Sequence, residues 1–154
     1  MRDMACQGPY FSRLLLNAIF FSVSKFSERP DVYDDPLDQT TAGRRFLRRV
    51  KELLGAALDQ STIPTIQAML LLSSSLGAHG HQSAAWLYSG IAIRMIFDLG
   101  TCYYVTITDW PGLNYDSALS RSSLLPEEIE IRRRVVWASY SKCITWLTAN
   151  ISHG

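Results

Sequence analysis

Apolar positions recur at three- and four-residue steps along most of this chain, and the breaks between them are rich in Gly, Pro, Asp and Ser. Tyr10 to about Phe26 is apolar on more than one face, with Leu14, Leu15, Leu16, Ala18, Ile19, Phe20, Phe21 and Val23 close together. That pattern predicts a first helix lying centrally in a bundle. Glu28 to Asp38 reads as a loop, because Pro30, Asp31, Asp34, Asp35 and Pro36 combine turn formers with charge. A second helix is expected over Ala42–Leu58, with Thr41 as its N-cap. Phe46, Leu47, Val50, Leu53, Leu54, Ala57 and Leu58 form its apolar side, while Arg44, Arg45, Arg48 and Arg49 form a solvated face.

A third helix starts near Pro64, where a missing N–H costs nothing, with Thr62 the better capping chemistry. Ile66, Met69, Leu70, Leu72 and Leu76 give it a broad apolar side, and Gly77 and Gly80 bracket a tight turn through His79. The fourth helix runs from Gln82 or Ser83 to Leu99, with Gly100 as its stop. Its small residues Ala84, Ala85, Ser89, Gly90 and Ala92 let a neighbouring backbone approach, so it is expected to pair antiparallel with the third. From Thr101 to Ser123 neither the helical nor the strand period fits, which predicts a long irregular loop. A fifth helix opens at Pro126-Glu127-Glu128 and continues to about Leu147, with Ile129, Arg133, Val136, Trp137, Tyr140 and Ile144 along its expected inner side. The fold class that follows is all-α: a multi-helix array around a central antiparallel hairpin, occupying residues 10–147 between short tails at 1–9 and 148–154.

Composition supports a globular domain. The 154 residues are 47% hydrophobic and 19% charged, which argues against disorder. Lys+Arg number 15 against 14 Asp+Glu, a net charge of +1, so nothing demands a nucleic-acid partner. The greasy run Leu14 to Val23 is much shorter than the roughly 20 residues a bilayer helix needs, and no membrane role is expected.

No set of residues has the spacing of a catalytic or metal centre. Cys6, Cys102 and Cys143 are far apart and odd in number, a poor disulfide framework. His79 and His81 lack third and fourth ligands nearby, so no metal or cofactor is expected in this chain. Ser83 and Ser89 lack a nucleophile-elbow context, and Glu127, Glu128 and Glu130 fit helix-start electrostatics. Trp86 and Trp137 read as core. Arg132, Arg133 and Arg134 point about 100° apart on a helix and form no single patch. Arg133 is placed on the inner side with Asp98 as the acid that pairs with it, a structural ion pair.

Two stretches carry more than their composition. Ile63 to Gly100 reads IPTIQAMLLLSSSLGAHGHQSAAWLYSGIAIRMIFDLG, and Glu127 to Tyr140 reads EEIEIRRRVVWASY. The ordered set Thr65-Ile66-Gln67-Ala68, Trp86, Gly90, Arg94-Met95, Asp98-Leu99-Gly100 and Arg132-Arg133-Arg134 resembles the fungal-specific transcription factor domain, the middle region of zinc binuclear cluster regulators. The resemblance covers roughly Tyr10 to Tyr140, interrupted by the 101–123 segment. It implies an all-helical regulatory domain in the nucleus, with no enzymatic activity, answering to protein partners or a small effector.

Departures from the family pattern shape the expectation further. Zinc in such regulators is held by an N-terminal six-cysteine cluster that reads DNA, and no Cys-x-x-Cys occurs here. Direct DNA binding is therefore not expected from this chain. Ser141-Lys142-Cys143 stands where the family continues with an acid–base pair, which suggests a domain cut short at both ends. Residues 101–118 fit translated intron sequence as well as they fit a natural loop insertion, and residues 142–154 fit it somewhat better than a divergent tail. Three readings stay open: a regulatory module without its DNA-binding element, a nonfunctional fragment, and a helical protein that binds a partner or small ligand.

Overall fold

In a computed structural model, residues 8–27, 29–35, 38, 41–100 and 125–151 are described. Among them the chain is all-helical. The helices are α1 (Arg13–Ser24), α2 (Arg44–Leu58), α3 (Ile63–Ala78), α4 (Gln82–Asp98) and α5 (Pro126–Ile151), with a short 3-10 turn at Pro30–Val32. The segment 101–123 expected as a loop lies outside the described residues, as do 1–7 and 152–154.

The third helix, and not the first, is central. α3 packs against α1, α4 and α5, most extensively against α4. Its Ile66, Met69 and Leu72 are fully buried. A helix that is apolar all round needs neighbours on every side, and α3 obtains them. α1 is a flank held between α2 and α3, burying Leu14, Ala18 and Phe21 while leaving Ile19, Phe20 and Val23 partly open to solvent.

Local chemistry sets the helix ends. Thr62 caps α3, its hydroxyl accepting from the Thr65 N–H at 3.3 Å, as the sequence suggests. α3 closes through left-handed Gly80 (φ 83°), after which the His81 N–H reaches back to the Leu76 carbonyl at 2.9 Å. The expected antiparallel hairpin of α3 and α4 follows from this turn. Ala85 and Ala92 of α4 are buried, and Gly77 of α3 lies so near that a Cβ there would sit 3.6 Å from Ala85 Cβ. Gly100 (φ 62°) follows the end of α4, where its N–H bonds the Phe97 carbonyl at 2.9 Å.

Two starts differ from expectation. α1 begins at Arg13, capped by the Ser12 hydroxyl, which accepts from the Leu15 N–H at 3.0 Å. α2 begins at Arg44 behind Gly43, which is left-handed at φ 73°. Thr41 does not cap it. The Thr41 hydroxyl is buried and bonds Asp38 and Asp35 backbone groups, fastening the preceding loop. Gly43 is needed for space as well as conformation, because a Cβ there would overlap Ser24 of α1.

Candidate effector trough

α1, α3 and α5 border an open trough of 520 Å³. Leu15 and Ile19 come from α1, Gln67, Leu70, Leu71 and Ser74 from α3, and Ala138 and Lys142 from α5. The side chains converge because α3 presents its 67, 70, 71 and 74 positions to the gap between its two neighbours, at helical steps. The lining is apolar apart from Gln67, Ser74 and Lys142. Ser74 is satisfied by its own helix, donating to the Leu70 carbonyl at 3.1 Å.

Lys142 also borders a smaller recess of 190 Å³ shared with Ser73, Ser74, Ser89 and Thr145. Lys142 thus borders both an apolar trough and a hydroxyl-lined recess. Burial without compensation lowers the Lys142 pKa below the ordinary lysine value. No acid lines either space among the described residues.

The orientation of α5 corrects the expected one. Among the described side chains of α5, Val135 and Ser139 are buried, with Ile131, Arg132, Val136 and Lys142 half-buried beside them. Trp137, Tyr140 and Ile144 lie on the opposite, exposed side, where Trp137 and Tyr140 meet edge to face at 6.0 Å between ring centres. The helix is rotated by about one residue, roughly 100°, from the stripe drawn on Ile129, Arg133 and Val136. Small Ser139 and Val135 let α5 come close to the hairpin, a fit that Trp137 and Tyr140 do not allow. Trp86 of α4 is likewise nearly half exposed, so neither it nor Trp137 is core.

The same rotation bears on the arginines. Asp98 and Arg133 are both exposed, and no ion pair between them is found among those of the described residues. Arg132 is the residue that reaches α4, its guanidinium donating to the Leu99 carbonyl at 3.2 Å. Arg134 pairs with Glu130 on the surface at 2.8 Å. The arginines of α2 are exposed as expected. Arg49 pairs with Glu52 at 2.7 Å, and Arg45 lies 4.8 Å over the Phe46 ring.

The two turn histidines do not gather a metal site. His79 stacks on Phe21 at 5.6 Å, and its Nδ1 lies 2.6 Å from the Ser75 carbonyl, which only accepts, so that nitrogen carries the proton. Among the described residues no three His, Cys, Asp or Glu side chains come together as metal ligands. Nor do Cys6, Cys102 and Cys143, with no Cys-x-x-Cys spacing, fit a binuclear zinc cluster. Among the described residues no helix is long and apolar enough to cross a membrane.

This helical array with its α3–α4 hairpin carries the motif set Thr65-Ile66-Gln67-Ala68 to Asp98-Leu99-Gly100. The fungal specific transcription factor domain matches residues 6–142. The chain belongs to that family. The nitrogen assimilation transcription factor nirA of Emericella nidulans is 34% identical over 140 residues, covering 88% of this chain and 14% of that protein. The nitrogen assimilation transcription factor nit-4 of Neurospora crassa is 28% identical over 138 residues, 87% of this chain and 11% of that protein. The TY1 enhancer activator of Saccharomyces cerevisiae is 33% identical over 98 residues, 62% of this chain and 12% of that protein. The chain thus spans a small part of the length of these relatives. No solved structure matches it.

The trough was not visible in the sequence. Its lining residues are ordinary members of apolar stripes, and only the packing of three helices brings them together. Lys142 carries a faint signal, as the one Lys or Arg after Arg134 in the sequence.

Proposed function

We propose that this chain is a non-catalytic regulatory domain of a fungal transcription regulator, acting in the nucleus and switched by what occupies the trough between α1, α3 and α5. The observation that carries this reading is the family match over residues 6–142 together with a trough bounded by three different helices. A ligand that favours one packing of α5 on α3 shifts the population toward that packing, by as much as its affinity differs between the two. The tie from Arg132 to Leu99 would carry the shift to the end of α4. DNA contact and zinc belong to a separate module in this reading, since this chain has no cysteine spacing for them.

The test is a fusion placing this chain between a heterologous DNA-binding domain and an activation segment, read by a reporter in a fungal host. At equal protein levels, output is expected to differ by about threefold or more from a fusion with an inert helical spacer, which needs under 1 kcal/mol of coupling. Equal output would overturn the reading. The exposure of Leu87, Phe97 and Trp137 favours a second reading, a nonfunctional product that aggregates. A soluble monomer that melts cooperatively would count against it.

A further inference from the structure

The trough and the recess differ in chemistry and meet at one cation. The larger space is walled by Leu15, Ile19, Leu70 and Leu71, and its 520 Å³ falls within the size of small-molecule sites. The smaller carries hydroxyls from Ser73, Ser74, Ser89 and Thr145. Between them stands Lys142, with no salt bridge among those of the described residues. An ammonium set in such a wall is held there at a desolvation cost that an anion would offset.

We propose that the two spaces together bind an aliphatic monocarboxylate, its tail along Leu15, Ile19 and Leu70 and its carboxylate on the Lys142 ammonium. The tail replaces water on apolar walls, and the charged head takes a charge-assisted bond that no acid of the lining supplies. A peptide fits less well, because its backbone N–H and C=O groups would need partners that leucine walls do not offer. A second copy of this chain in a two-fold contact would bring another Lys142 and no carboxylate from this lining. The proposal rests on the reading of the trough as the effector seat only for its regulatory meaning, since binding is measured on the isolated chain.

The experiment is calorimetric titration of the full chain with decanoate below its micellar concentration, with decanol and decylamine as tail-matched controls. Submillimolar, saturable one-to-one binding of decanoate is expected, with both controls weaker. Lys142→Met should lose about tenfold or more, while Lys142→Arg keeps most of the affinity. Circular dichroism confirms that each variant is folded, and Ile19→Asp, at a partly exposed position, provides a second loss-of-binding variant. Equal binding of decanoate and decylamine, or unchanged binding by Lys142→Met, would overturn the proposal as detergent-like adsorption. So would a stable dimer that Ile19→Asp converts to monomers with no decanoate bound by either form. If decanoate fails while the reporter fusion still differs from the spacer, the ligand class falls and the regulatory reading stands. The reverse pair of results would leave a carboxylate site without that regulatory role.

Discussion

The Arg132 guanidinium donates to the Leu99 carbonyl at 3.2 Å, joining α5 to the C-terminal end of α4 across the hairpin. That carbonyl belongs to the negative end of the α4 dipole, so a cation there is favourable twice over. Arg132 is half-buried, and among the described residues its Nε has no partner, so the bond to Leu99 and packing hold the side chain there.

Arg132→Met should therefore destabilise the domain by about 1–2 kcal/mol, the range for a hydrogen bond involving a charged group less the Nε desolvation it relieves. Asp98→Asn, at an exposed position, should change stability by no more than about 0.5 kcal/mol. Urea unfolding followed by circular dichroism compares the two. An Asp98 effect as large as that of Arg132 would support the Asp98–Arg133 ion pair expected from the sequence.

Gly43 is both left-handed and pressed against Ser24. Gly43→Ala is expected to cost about 2–4 kcal/mol, from the strained backbone conformation together with overpacking. Gly55→Ala in the middle of α2 meets open space and should stabilise by up to about 1 kcal/mol. Thermal melts of the two variants would shift in opposite directions.

Lys142 gives a pH signature with a definite sign. Burial lowers its folded-state pKa, so between that value and the unfolded one the unfolded chain binds more protons. The lysine's contribution to stability therefore rises with pH through the window just below the ordinary lysine value and is unfavourable beneath it. Lys142→Met should be more stable than the parent at neutral pH, with the gap closing as the solution becomes alkaline. Denaturant midpoints of both proteins at matched pH values give the difference directly, and a gap that widens toward alkaline pH would contradict the burial of Lys142.

Much of the fold was legible because local chemistry and the apolar period agreed. Thr62 and Pro64 mark the start of α3, Gly80 its end and Gly100 the end of α4, each through a requirement of the backbone alone. The small residues around Ala85 and Ala92 announced the close hairpin. What failed was phase and rank. α5 carries apolar residues round its circumference, so the period did not say which side faces in, and bulky Trp137 drew the stripe one residue away from Val135 and Ser139. α1 and α3 are both greasy throughout, and only the packing shows that α3 is central while Phe20 and Val23 remain partly open. The trough was illegible because Leu15, Leu70 and Lys142 come from three helices whose relative placement no local pattern encodes.

Filling the trough tests the central claim most directly. Ala138 lines it from an exposed position on α5, so Ala138→Phe adds bulk to the trough without entering the core. The measurement is reporter output from the fusion carrying Ala138→Phe, beside the parent and Tyr140→Phe on the opposite face, at matched protein levels and melting temperatures. Control through the trough predicts that Ala138→Phe holds output at one extreme, about threefold from the parent, while Tyr140→Phe behaves as the parent does. Output from Ala138→Phe equal to that of the parent would contradict it.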